Sequence, residues 1–266
     1  MFQFYMPTKV IIGRECVVKE GHLLKGIGNK ALIVTGRYSA KKNGALEDVI
    51  KALEEQNMAY CVFDEVEENP SLETVEKAKN FGVAQGVDFV IGIGGGSPID
   101  ASKAIAVMLK HPELTGSTLI GGSLSSVPVI AVPTTAGTGT EVTQYAIVTD
   151  HQAKTKKNIG HTVFPQIAFV DAYYMKDMPK TITIHTAVDA MSHLVESYLS
   201  VKSNAVSEGF VVEGLKEWGK CIPQLLAGEF TLEGRECLMM ASMLAGMAIA
   251  QTGTSLPHGM GYALTY

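Results

Sequence analysis

The stretch that most narrows the fold of this 266-residue chain is Val90–Lys103, where an apolar run meets Gly94-Gly95-Gly96-Ser97-Pro98 and opens straight into a helix-compatible segment. Val87–Ile93 reads as a strand buried on both faces, and the glycines at its end can take positive φ and let a diphosphate approach the backbone. Ser97 is placed to cap the following helix and Pro98 suits its first turn. The free amides there would offer a phosphate the positive end of the helix dipole. By itself the stretch fits a tight strand-to-helix turn as well as a nucleotide loop.

The flanking pattern decides the fold class. Ala31–Thr35 reads as a strand and Lys41–Gln56 as a helix, Tyr60–Phe63 and Leu72–Gly86 repeat the pair, and Pro128–Val132 and Ile167–Val170 add further strands. Strands alternating with helices predict an α/β fold with a mostly parallel sheet. Val142–Thr149 reads as another strand, Asp150–Lys157 as a polar connection, and Phe2–Phe4 with Lys9–Ile12 as a small N-terminal hairpin. After Tyr174 the periodicity is helical throughout, in Val188–Leu199, Val206–Trp218 and Arg235–Gln251, so the chain divides near Pro179 into residues 1–179 and 180–266.

Charge and cysteine usage remove several function classes. A net charge of −5 with scattered Lys and Arg argues against a nucleic-acid footprint or a polybasic membrane anchor. Cys16, Cys61, Cys221 and Cys237 form no CxxC pair, which argues against a zinc ribbon or a disulfide framework and fits a reducing compartment. The N-terminus has no export-signal pattern and Leu238–Ala250 is too short to span a bilayer, so a cytoplasmic location is expected.

Metal chemistry has three candidates. Asp189 and His193 stand four residues apart, so on a helix both project from one face, a spacing that suits a shared ion. His258, in Leu-Pro-His-Gly, could supply a third donor. Each of these alone is more often structural than ligating.

Together, Gly94–Lys103, Pro133–Glu141, Asp189–His193 and His258-Gly259 occur in the order and approximate spacing of the iron-dependent (group III) alcohol dehydrogenase family, which the chain resembles along essentially its whole length. The resemblance implies a Rossmann-like dinucleotide-binding domain followed by an all-helical domain, with the active site between them. It implies that Gly95, Gly96 and Ser97 hold the pyrophosphate, that Asp100 lies beside the nicotinamide portion, that Thr134, Thr135 and Thr138 line the cofactor, and that Lys157 reaches it from the next connection. Asp189, His193 and His258 match three family metal ligands, for Fe²⁺ or Zn²⁺.

Members preferring NAD tend to carry an acidic residue after the strand that Ala31–Thr35 represents. Here Gly36 occupies that position, followed by Arg37, Ser39, Lys41 and Lys42, a set read as unopposed and hence as favouring NADP(H). A fourth family ligand, a second histidine, would lie beyond Tyr266, so only the first part of the helical domain is expected, leaving Leu238–Ala250 short of packing partners. Tyr262 stands where some relatives place a proton-relaying histidine, and His185 lies one turn before Asp189 on a helix that Thr183 and Thr186 suggest begins only there. The expected activity is hydride transfer between NADP(H) and a small primary alcohol, diol or aldehyde, in a homo-oligomer, expected as a homodimer joined through the hairpin edge. The rival readings are a Zn²⁺-dependent glycerol or polyol dehydrogenase and a truncated, catalytically silent nucleotide-binding fragment.

Overall fold

The structure, a computed structural model, describes residues 2–265. The first half runs β1 (Lys9–Ile12), α1 (Cys16–Lys19), β2 (Lys30–Thr35), α2 (Ser39–Lys42), α3 (Ala45–Glu55), β3 (Ala59–Phe63), α4 (Leu72–Gln85), β4 (Phe89–Gly94), α5 (Gly96–Lys110) and β5 (Val129–Pro133). After β6 (Ile147–Asp150), β7 (Thr155–Asn158) and β8 (Ile167–Val170), the chain is helical: α6 (Lys180–Leu199), α7 (Ala205–Lys220), α8 (Ile222–Ala227), α9 (Leu232–Thr252) and α10 (Leu256–Leu264). Six strands form one parallel sheet in the order β1-β8-β5-β4-β2-β3. The chain leaves β2 outward to β3 and returns to β4 on the other side of β2, so the carboxyl ends of β2 and β4 flank the crevice where such sheets bind ligands. Apolar side chains cover both faces of the sheet, as the near-continuous apolar composition of β2, β4 and β5 requires.

Several local expectations are corrected. The N-terminal hairpin does not form: β1 pairs in parallel with β8, while Tyr5 exchanges backbone hydrogen bonds with the Gln251 side chain at 3.1 and 3.0 Å and Phe4 packs on Phe210. The helix expected over 41–56 breaks at Gly44, whose φ of 91° stops it, and Asn43 fills the gap by accepting from the Ala45 amide and donating to the Tyr174 carbonyl. The connection expected over 150–157 is an antiparallel hairpin of β6 and β7, closed by Asp150 accepting from the Ala153 amide. α6 starts at Lys180, before Thr183. α9 is not short of partners: it packs against α6 and α7, with Leu238, Met239, Ala241, Ala245 and Ala248 buried. Among the described residues no single helix is long and apolar enough to cross a membrane.

The strand expected over 142–149 begins only at Ile147, because the carbonyls before it are turned to a cation. Lys103 is fully buried, and its Nζ donates to Thr140 O, Thr140 Oγ1 and Tyr145 O at 2.7 Å and to Thr143 O at 2.9 Å. Burial pulls the Lys103 ammonium down to about 8, against the attraction of Asp100 and Glu141. Removing one partner of a buried charge network strands the others, at a cost of ~3–5 kcal/mol. Lys103→Met should therefore lose roughly this much stability in urea unfolding. A loss under about 0.5 kcal/mol, as at an ordinary surface site, would contradict the ammonium's structural role.

Candidate metal and dinucleotide site

A cavity of about 530 Å³ lies where the sheet's carboxyl edge meets the helices. α5 contributes Gly96, Ser97 and Asp100 to its wall, the loop after β5 contributes Thr138 and Thr140, and the helical part contributes Asp189, His193, His258 and Tyr262. The loop is seated by close approaches that only glycine permits. A Cβ on Gly95 would lie 2.9 Å from Thr135 Oγ1, and one on Gly96 would lie 2.8 Å from Thr138 Cγ2. Thr134 is buried and its amide donates to Gly94 O at 2.8 Å, so Gly95, Thr134 and Thr135 form the wall behind the cavity rather than its lining.

Gly95, not Ser97, is the residue preceding α5, and Ser97 turns its Oγ to accept from the Asn69 amide at 3.0 Å. The amides at the start of α5 keep the orientation an anion needs. Asp100 is tied twice: it accepts from Thr140 Oγ1 at 2.5 Å and from the Ile147 amide at 2.9 Å. Burial raises its carboxyl, against the nearby Lys103 charge and these hydrogen bonds.

Lys157 does not border this cavity. On β7 the side chains alternate, so Lys156 lines the cavity while Lys157 pairs with Asp150 at 2.9 Å. His185 is exposed on α6 and stands outside the ligand cluster. Gly36 and Ser39 sit at the end of β2 and the start of α2, also outside the cavity. The basic set around them is not unopposed, because Lys41 is paired with Asp64 at 2.5 Å. Tyr262 lines the cavity half-buried, and burial pushes its phenol up to about 12.

Asp189, His193 and His258 converge, with one donor atom from each within 4.8 Å of the others. Asp189 Oδ1 lies 3.4 Å from His258 Nε2 and 3.9 Å from His193 Nε2, and the two imidazoles stack at 4.4 Å. Donors ~2.1 Å from a tetrahedral ion lie ~3.4 Å apart, so the three residues fit Fe²⁺ or Zn²⁺ with little movement. Each ring's other nitrogen is engaged: His193 Nδ1 faces Gly137 O at 3.3 Å and His258 Nδ1 faces Glu196 Oε1 at 2.5 Å. Burial works to raise the Asp189 carboxyl, but the His258 hydrogen bond and the two histidine charges hold it below the usual carboxylate range. Burial lowers His193, whereas the Asp189 hydrogen bond keeps His258 above its ordinary value.

Glu196 is the residue that sequence reasoning missed. It follows Asp189 and His193 at seven and three residues, so the three form one stripe on α6, a pattern visible in the sequence once the helix is assumed.

A family model described as iron-containing alcohol dehydrogenase matches residues 7–172, and one described as the C-terminal part of the Fe-containing alcohol dehydrogenase family matches residues 183–266. The NAD-dependent methanol dehydrogenase of Bacillus methanolicus is 32% identical over 98% of this chain and 70% of its own length. The NADPH-dependent butanol dehydrogenase of Clostridium saccharobutylicum is 29% identical over 98% of this chain and 68% of its own length. The crystal structure of an iron-containing alcohol dehydrogenase from Thermotoga maritima superposes with a TM-score of 0.94 at 44% identity, covering 100% of this chain and 73% of that one. With its cradle, its loop and its Asp-His-His cluster in one cavity, the chain belongs to the iron-containing alcohol dehydrogenase family.

Proposed function

We propose that the chain transfers a hydride between NADP(H) and a small primary alcohol, diol or aldehyde, with Fe²⁺ held by Asp189, His193 and His258. The observation that carries this reading is the single cavity that joins the start of α5 to the three ligands, which would bring the reactive end of a dinucleotide to a substrate oxygen. The ion supplies Lewis acidity and the nicotinamide supplies or takes the hydride. The chain's own residues bind and orient. The amides of Gly96 and Ser97 would hold the pyrophosphate, and Thr138 lines the cavity beside Gly96. Asp100, immobilised by Thr140 and Ile147, would offer a fixed acceptor to the nicotinamide portion. Tyr262, kept as a phenol by burial, can donate a hydrogen bond in the cavity but is not a base near neutral pH.

Small substrates are supported by the relatives, whose names specify methanol, butanol and 1,3-propanediol dehydrogenases and lactaldehyde reductase. Those relatives include both NAD- and NADPH-dependent enzymes, so the preference for NADP(H) rests on local residues alone. Gly36 places no carboxylate after β2, and Arg37, Ser39 and Lys42 remain to meet a 2′-phosphate once Lys41 is assigned to Asp64.

Steady-state assays with a short aldehyde should give a higher kcat/KM with NADPH than with NADH. Gly36→Asp should move the ratio toward NADH by about tenfold, or about 1.4 kcal/mol. A Cβ on Gly36 would lie 3.3 Å from the Val66 carbonyl, so the segment after β3 must give by a few tenths of an ångström to take it. NADH outcompeting NADPH tenfold in the unaltered chain would end the NADP(H) assignment while leaving the metal assignment intact.

Fe²⁺ or Zn²⁺ supplied at about a hundred times its Kd should add about 2.7 kcal/mol to the unfolding free energy. Asp189→Asn and His258→Ala should abolish most of that gain. Dinucleotide binding without any metal response in the unaltered chain would favour a nucleotide-binding protein lacking the redox activity. Tighter stabilisation and higher turnover with Zn²⁺ than with Fe²⁺ would move the reading to a zinc polyol dehydrogenase.

A further inference from the structure

We propose that Glu196 is the positioning residue of the metal site, setting the tautomer of His258 and joining the α6 and α10 parts of the ligand set. The inference rests on the assignment of Asp189, His193 and His258 as ligands. Glu196 is 4% exposed, and its two oxygens have separate partners. Oε1 accepts from His258 Nδ1 at 2.5 Å, while Oε2 accepts from the Ser255 amide at 2.6 Å and from Ser255 Oγ at 2.7 Å.

An ionised carboxylate only accepts hydrogen bonds, so the atom facing Oε1 must carry a proton. With the Nδ1 proton held by Glu196, a cation would displace the other ring proton, leaving the lone pair on Nε2, the nitrogen that faces Asp189 at 3.4 Å. His193 reaches the same tautomer by a different route, through the Gly137 carbonyl at 3.3 Å. The difference is charge: a carbonyl only orients His193, whereas a carboxylate also makes the His258 nitrogen a stronger donor to a cation. Ser255 immediately precedes α10, so the same side chain fixes the start of the helix that carries His258 relative to the helix that carries the other two ligands.

The competing explanation is that Glu196 only anchors the start of α10. Amide chemistry separates the two roles. In Glu196→Gln the oxygen can serve both Ser255 donors, and the amide nitrogen then faces Nδ1 and demands an acceptor there, moving the ring proton to Nε2. Ser255→Ala does the reverse: it removes one anchoring hydrogen bond and leaves the Nδ1 partner unchanged.

The test measures Zn²⁺ affinity of the whole chain by competition with a chromophoric chelator, together with metal-free thermal unfolding. Glu196→Gln should weaken Zn²⁺ binding about 10- to 100-fold. Ser255→Ala should change it by less than about twofold while still lowering the unfolding temperature. Glu196→Asp, which keeps an acceptor-only carboxylate, should bind more tightly than Glu196→Gln, and this comparison holds even where both variants are less stable. Equal Zn²⁺ affinity in the unaltered chain and Glu196→Gln, equal losses in Glu196→Gln and Ser255→Ala, or no advantage of Asp over Gln would each overturn the proposal. If the unaltered chain and Asp189→Asn bind Zn²⁺ equally, the ligand assignment itself fails and the proposal falls with it. If Asp189→Asn loses binding and Glu196→Gln does not, only the proposal fails.

Discussion

The architecture of the site depends on one buried ammonium. Lys103 extends from α5 into the loop after β5 and gathers the carbonyls of Thr140, Thr143 and Tyr145 around its Nζ. Those carbonyls have no ladder partner in the sheet, and Thr140 O alone also accepts from the Thr143 amide at 3.3 Å. Without the cation the Thr143 and Tyr145 carbonyls would lose their donor in the interior, each a cost of about 1–3 kcal/mol. The same lysine holds Thr140 Oγ1, which in turn donates to Asp100. Loop conformation and carboxylate orientation are thereby set by one group.

That loop is the physical link between the start of α5 and the Asp-His-His cluster. Thr135 and Thr138 close on Gly95 and Gly96 at one end. The Gly137 carbonyl meets His193 Nδ1 on α6, and Gly139 lies against Gly246 of α9 so closely that a Cβ on Gly246 would stand 2.4 Å from the Gly139 carbonyl. A segment without an apolar face of its own is thus ordered by contacts to a helix start on one side and to two helices on the other. Displacing it would disturb the proposed dinucleotide cradle and the Asp-His-His cluster together, so their geometries are coupled through ordinary packing rather than through a long-range mechanism.

How much of this was legible in the sequence follows from the range of each signal. The β4 to α5 junction and the alternating strands and helices were readable because apolar runs, glycines and helical periodicity are local properties. Asp189 and His193 were readable because a spacing of four on a helix has a geometric meaning, and His258 only because the whole pattern resembled a family. Glu196 carries the same helical signal three residues further, but a carboxylate on a helix is ordinarily solvated, so spacing alone does not mark it. Whether a lysine is free is a tertiary fact: Lys41 meets Asp64 across two elements, and Lys156 rather than Lys157 faces the cavity because strand register, not composition, chooses the face. The β1 pairing with β8 joins residues more than a hundred positions apart and leaves no local trace.

On the proposed reading, the cradle at the start of α5 and the Asp-His-His cluster serve one reaction space. The most direct measurement is anomalous diffraction from crystals of the chain loaded with Fe²⁺ and NADP⁺. An iron peak is expected among Asp189, His193 and His258, with the pyrophosphate on the amides of Gly96 and Ser97 and the nicotinamide ring between them and the ion. An iron peak away from those three side chains, or a dinucleotide whose nicotinamide points out of the cavity, would contradict it.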